Sequence, residues 1–379
     1  MQPPASFFAT QLLPMNSHCP GVRATLVCVV VVVLVTTTTA YSPQLPPYSG
    51  DKMKNFPCPE AEDIAPCQCT FDAMTGIFDL LCVGLNETQL DMIFAVDFPF
   101  DAFTTLTLQN SNIPVLKENV FGSKNFKTVI MIANKMKTVM QGALNSSYTT
   151  LESFYMSEMD DEMYNWPLPD LSLFTVIQNI GISGPYDSLS PLVSCSLISA
   201  FLSLQKLTEL PVDTLSGAPN LEKFFLDNTK IERILANTFQ KLQKLVTISV
   251  SGGNLTELED YSFSLTAPNL TLIDLHLNGI KSIGMKAFEG ISGNVTVNLS
   301  QNQLMVLEES NFLPLLKNTS GIIDISSNPL MCGCDIYWIV NVTAEELQRL
   351  KGLDSSCAIG DYSQDVLEDF FEYQCSTSL

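Results

Sequence analysis

The sequence predicts an α/β solenoid of about ten stacked turns with stapled ends, on three observations. An apolar order L-x-x-L-x-L recurs over most of the chain, an asparagine follows several copies at one fixed place, and the cysteines gather before and after the repeating stretch. In LTLIDLHLNGI, Leu270, Ile273, Leu275, Asn278 and Ile280 fill the marked places. Later copies place Val297, Leu299, Asn302 and Leu304, then Ile323, Ile325, Asn328 and Leu330. Earlier ones place Leu245, Ile248, Val250 and Leu255, and before them Leu221, Phe224, Leu226 and Ile231. Leu197, Leu202 and Leu207 form a looser copy, as do Leu171, Phe174, Val176 and Asn179, and Leu151, Phe154 and Met156. Phe126, Val129, Met131, Asn134 and Met136 are clean again, and Phe103, Leu106, Leu108 and Ile113 begin the series.

This is the pattern of leucine-rich repeats, in which each copy is one turn of strand, bend and looser return arm. Strand alternation turns the marked residues inward. The bend leaves backbone groups pointing into an interior that water cannot reach, and an amide side chain both donates to and accepts from them. Asn134, Asn179, Asn278, Asn302 and Asn328 are therefore expected to bond to backbone of adjacent turns. Gln205, Thr229 and Gly253 take that place less effectively. Phe121, Phe239, Phe263, Phe288 and Phe312 lie in the return arms and are expected to close the core behind the sheet.

The ends divide the chain further. Residues 1–40 read as a secretory signal: ATLVCVVVVVLV follows Arg23, and Thr38 and Ala40 suit a cleavage site. Its twelve apolar residues fall short of the roughly 20 needed to span a bilayer. Residues 41–57 form a proline-rich linker, 58–102 an N-terminal cap, 103–330 the repeats and 331–379 a C-terminal cap. The expected mature chain is secreted, without a membrane span. Solenoid ends expose half a core and need capping. In an oxidising compartment the groups Cys58, Cys67, Cys69, Cys82 and Cys332, Cys334, Cys357, Cys375 read as disulfide frameworks. Cys195, between them, reads as a buried thiol, with a bridge to a partner chain as the alternative.

The spacing C-x8-C-x-C-x12-C from Cys58 resembles the N-terminal cap of extracellular leucine-rich repeat proteins. C-x-C-x22-C-x17-C from Cys332, with Trp338, resembles their C-terminal cap. That resemblance implies the pairs Cys58–Cys69, Cys67–Cys82, Cys332–Cys357 and Cys334–Cys375. A narrower likeness lies in CPEAEDIAPCQC, LLCVGLN and CGCDIYWIV. These resemble the crustacean secreted proteins named for the non-catalytic subunit of Oplophorus-luciferin 2-monooxygenase, over about Phe56 to Cys375. In that luciferase a smaller subunit oxidises coelenterazine, so the resemblance implies a supporting, non-catalytic role in a hetero-oligomer.

Composition points the same way. The 379 residues carry 19 Lys and Arg against 40 Asp and Glu, a net charge of −21, which disfavours nucleic acid as a partner. His18 and His276 are the only histidines, so most acid–base and metal chemistry lacks its usual residue. Asp274 and His276 share a strand face without an apparent nucleophile and read as surface residues; SEMDDEMY, Ser157 to Tyr164, reads as a solvated acidic rim. No catalytic or metal-binding residue and no cofactor is expected.

Eight N-x-S/T sites, Asn86, Asn145, Asn254, Asn269, Asn294, Asn298, Asn318 and Asn341, are expected to carry glycans in a secreted chain. None lies between Asn145 and Asn254. In that bare region Ile130, Ile132, Tyr155, Ile177, Phe201 and Phe225 take outward strand places and are expected to form an apolar partner-binding stripe. The function expected is a secreted binding or scaffold subunit for another extracellular protein, such as a small luciferase-type catalytic subunit. The alternative is an extracellular recognition protein of innate immunity or cell adhesion.

Overall fold

The computed structural model describes residues 57–159, 168, 170–331, 333–353, 369, 371 and 375. All belong to the second of two compact units, Asn55–Leu379. The expected signal segment, the linker up to Phe56, the acidic run from Asp160 to Tyr164 and the Cys332–Cys357 pair lie outside the described residues.

In chain order the strands are β1 (Gln68–Asp72), β2 (Ile77–Val83), β3 (Ala102–Gln109), β4 (Val115–Leu116), β5 (Asn125–Ile132) and β6 (Thr138–Val139). They continue with β7 (Ser153–Ser157), β8 (Asn179–Gly184), β9 (Ser199–Leu204), β10 (Lys223–Asp227), β11 (Thr247–Ser251) and β12 (Glu257–Leu258). The last are β13 (Leu272–Asp274), β14 (Ser282–Ile283), β15 (Thr296–Asn298), β16 (Ile323–Asp324) and β17 (Leu350–Lys351). Thirteen of them make one sheet, β1-β2-β3-β5-β7-β8-β9-β10-β11-β13-β15-β16-β17, parallel except for the β1–β2 hairpin. The remaining four make two small parallel pairs, β4 with β6 and β12 with β14, in the return arms.

Period-2 alternation builds the core. Leu106, Val129, Phe154, Ile180, Ala200, Phe224, Ile248, Ile273, Val297 and Ile323 stand in register across ten strands, and each is 0 % exposed. Ten turns of the repeat are thus present. Behind them Phe121, Phe239, Phe263 and Phe312 are buried and Phe288 is half-buried. Phe239 and Phe263 stack with ring centres 5.3 Å apart.

The bend after seven of the ten strands has a repeating backbone signature. Asn110, Ala133, Asn228, Gly252, Leu277, Gln301 and Ser327, each one residue before the ladder position, have φ between 50° and 60°. For a residue with a Cβ this left-handed geometry costs roughly 1–2 kcal/mol. Where an asparagine follows, its side chain holds the bend by satisfying the backbone that is exposed there. Asn302 donates to the carbonyls of Leu275 (2.9 Å) and Leu299 (3.0 Å), and accepts from the Ile280 N–H (3.1 Å). Asn278, Asn328 and Asn134 likewise bond to the preceding turn.

Two positions depart from the expected ladder. The strand of the fourth turn is Asn179–Gly184, not the segment around Phe174, because Ile180 and Ile182 pair with Phe154 and Met156. Leu171 and Phe174 fit the spacing too but are spent in a 3-10 turn, where Asp170 accepts the Ser172 N–H at 2.9 Å. Asn179 consequently sits on the open face, its amide donating to the Ser153 hydroxyl at 3.2 Å. It is no ladder residue. Conversely, Glu158 is 3 % exposed rather than part of a solvated rim. Its carboxylate accepts the N–H groups of Asn134 (3.3 Å), Lys135 (2.9 Å) and Met136 (3.2 Å), doing the work of the missing asparagine.

Both ends are closed. In the N-terminal cap the bridges Cys58–Cys69 and Cys67–Cys82 tie the segment before the hairpin to its two strands, β1 and β2. Helix α1 (Glu87–Ala95) starts in a capping box between Asn86 and Gln89 and buries Leu90, Ile93 and Phe94. At the C-terminus, α2 (Glu309–Asn318) and α3 (Ala344–Arg349) flank a 3-10 segment whose Trp338 donates to the Leu307 carbonyl at 2.7 Å. Arg349 donates to the carbonyls of Leu316 in the last turn of α2 (2.9 Å) and of its C-cap Thr319 (2.6 Å), and Cys334 is bonded to Cys375. Cys195 corrects the sequence reading: it is half-buried and disulfide-bonded, not a free thiol, and its mate lies outside the described residues. Assigning Cys19 and Cys28 to the signal and the other eight cysteines to the caps leaves it without a mate on paper.

Candidate protein-binding site

Residues between the buried columns face outward on the strand side of the solenoid. Their central column runs Thr107, Ile130, Tyr155, Gly181, Phe201, Phe225, Ser249, Asp274, Asn298 and Asp324. It divides into two chemistries. From β13 onward it is polar and self-satisfied: Asp274, Asn298 and Asp324 each accept the backbone N–H two residues on, at 3.0 to 3.3 Å. Burial raises the Asp324 pKa, but the Ser326 bonds and the Lys351 ammonium 3.0 Å away outweigh it, and the net shift is downward.

From β5 to β10 the column is apolar. Tyr155 is 37 % and Phe201 41 % exposed, while Ile130, Ile132 and Phe225 are half-buried. Phe201 and Phe225 stack with ring centres 4.7 Å apart and planes within 11°. Ile177 is absent from this row. It is 0 % exposed, filling the inward place that opens the β8 turn, because the true strand starts later than the spacing suggests.

Gly181 takes the outward place instead. A Cβ there would lie 2.6 Å from Tyr155 Cδ1, so the tyrosine ring lies across the bare backbone of β8. The result is a notch of about 310 Å³ between Ile130 and Ile132 on one side and Phe201 on the other. Ser157, Ser183 and Ser203 edge it, with Asp227 at its far corner. A glycine inside a strand signals close approach of another group, which is the cue to Gly181 that the repeat spacing obscures. Asp227 carries no comparable sequence cue.

Asp274 and His276 do meet, with Nδ1 2.9 Å from Oδ1, on the polar half of this face and only half-exposed. Among the described residues the His276 ring has no other hydrogen-bonding partner, so the pair is a local clasp on the strand face. The glycosylation candidates Asn86, Asn145, Asn254, Asn269, Asn294, Asn318 and Asn341 are exposed. Asn298 is half-buried on the strand face, its carbonyl oxygen accepting from the Ser300 N–H and hydroxyl. No helix among the described residues is long and apolar enough to cross a membrane.

Comparison with known proteins agrees with this architecture. Residues 196–326 match the BspA type leucine-rich repeat region in six copies. The chain is 28% identical over 324 residues to the Oplophorus-luciferin 2-monooxygenase non-catalytic subunit of Oplophorus gracilirostris, covering 84% of this chain and 88% of that one. A 128-residue stretch is 27% identical to leucine-rich repeat-containing G-protein coupled receptor 5 of Rattus norvegicus, covering 33% of this chain and 14% of the receptor. Among solved structures, the octameric complex of Latrophilin 3, Unc5D and FLRT2 contains a chain that superposes with a TM-score of 0.53 at 16% identity, over 73% of this chain and 90% of that one. The chain folds as a leucine-rich repeat solenoid with cysteine caps, and it is similar over most of its length to the Oplophorus-luciferin 2-monooxygenase non-catalytic subunit.

Proposed function

We propose that this chain is a secreted, non-catalytic subunit that holds an extracellular protein partner on the apolar half of its strand face. The single observation carrying this reading is the row Ile130, Tyr155, Gly181, Phe201, Phe225, which leaves aromatic side chains open to solvent. Exposed apolar patches of this kind mark interaction sites. The stretch between Asn145 and Asn254 also lacks glycosylation sites, leaving room for a docked protein. The similarity to a non-catalytic subunit supports a catalytic companion of the luciferin-monooxygenase type as that partner. The chain itself does no chemistry in this reading, and the Asp274–His276 clasp is structural.

The partner is to be identified by purifying the native protein from its source together with what travels with it. Recapture on immobilised wild-type chain is then compared with the double variant Phe201→Asp, Phe225→Asp. Central aromatic anchors contribute roughly 2 kcal/mol or more each, so capture should be abolished while the melting temperature stays within a few degrees. Unaltered capture moves the interface to a cap or to the return-arm side. The likeness to a receptor segment favours a second reading, an extracellular recognition protein. A non-enzymatic captured molecule would select it.

A further inference from the structure

The notch has a polar feature that an apolar partner surface alone leaves unused. Asp227 Oδ1 accepts from the hydroxyls of Ser251 (2.7 Å) and Ser249 (3.4 Å). Among the described residues its Oδ2 has no hydrogen-bonding partner and no cation pairs with this carboxylate. Two acids further along the same face have charged or ring partners: Asp274 meets His276, and Asp324 meets Lys351. Asp227 is thus an oriented carboxylate, held by two serines, at the corner of a pocket walled by isoleucines and aromatic rings.

Building on the partner-holding reading above, we propose that the notch receives an arginine side chain from a basic segment of the partner. The requirements of the site select that chemistry. An aliphatic stem fits against Ile130, Ile132 and the Tyr155 ring; a planar cation stacks on an aromatic face such as that of Phe201. A guanidinium also presents donors to the open oxygen of Asp227, and charge-assisted bonds of this kind are the strong ones. Lysine offers a compact, strongly hydrated cation that stacks less well. A chain with a net charge of −21 also draws basic partners over distance.

The test uses the full secreted chain with isoleucine methyl groups labelled with carbon-13, observed by NMR. It is titrated with Nα-acetyl-arginine amide, then with the citrulline and norleucine counterparts. Saturable shifts at Ile130 and Ile132 are expected with arginine. Neutral citrulline should bind about tenfold more weakly, the worth of one charge-assisted bond. Asp227→Asn, which still accepts from Ser249 and Ser251, should erase that preference. Equal binding of arginine, citrulline and norleucine overturns the inference, as does an absence of shifts at Ile130 and Ile132 with every probe. If either occurs while partner capture still depends on Phe201 and Phe225, the arginine assignment fails alone. If capture is also indifferent to those phenylalanines, the binding face itself is misplaced.

Discussion

Replacing Asn302 by alanine removes a side chain that is 1% exposed and bonded to two turns at once. The groups it serves do not suffer equally. The Leu275 carbonyl keeps the Asn278 amide at 3.0 Å, and the Leu299 carbonyl keeps the Asn328 amide at 2.9 Å. The Ile280 N–H, bonded to Asn302 Oδ1 at 3.1 Å, is left unsatisfied in the core. Stranding that donor costs about 1–3 kcal/mol, and each of the two weakened carbonyls about 0.5–1.5, so Asn302→Ala should lose roughly 2–6 kcal/mol. Urea denaturation with the disulfides intact, followed by circular dichroism, measures it. Asn179→Ala is the control, since its half-exposed bond to Ser153 should be worth about 1 kcal/mol or less. Combining Asn278→Ala with Asn302→Ala should cost more than the sum of the two, because the Leu275 carbonyl then loses both partners. Equal losses at Asn302 and Asn179, or strict additivity of the pair, would refute the ladder reasoning.

Glu158→Ala should be as damaging as losing a ladder asparagine, about 3 kcal/mol, because the N–H groups of Asn134, Lys135 and Met136 lose their acceptor. Hydrogen exchange at Lys135 and Met136 should accelerate markedly in that variant and far less in Glu158→Gln; unchanged exchange counts against the assignment. In the C-terminal cap, the Lys317 ammonium and the Thr343 N–H hold the Glu346 pKa at about 2, below its ordinary 4.5. A carboxylate with a depressed pKa stabilises the fold fully above its unfolded value and loses that contribution as pH falls through the folded one. The melting-temperature advantage of wild type over Glu346→Gln should therefore be full at neutral pH, shrink below about pH 4.5 and vanish near pH 2. A constant difference contradicts it. Raised salt should trim the part carried by the Lys317 pair, which lies near the surface.

The apolar period and the cysteine grouping are local in sequence, and they were enough to determine the solenoid and its capped ends. A parallel strand buried on one face must repeat its inward residues, so Leu106, Val129 or Ile273 can be assigned without knowing their neighbours. The ladder asparagines were legible for the same reason, since each bend recreates the same unmet backbone. What a single sequence left open was register where return arms differ in length. Leu171, Phe174 and Val176 satisfy the spacing as well as Ile177, Ile180 and Ile182 do. Only pairing with Phe154 and Met156 on one side and with Ala200 and Leu202 on the other decides between them. That choice buries Ile177, brings Asn179 to the open face and sets Gly181 beside Tyr155, creating the notch. Glu158 and Asp227 were hidden for a related reason. A carboxylate reads as solvated until the structure shows what faces it: three backbone N–H groups around Glu158, and two serine hydroxyls with one open oxygen at Asp227.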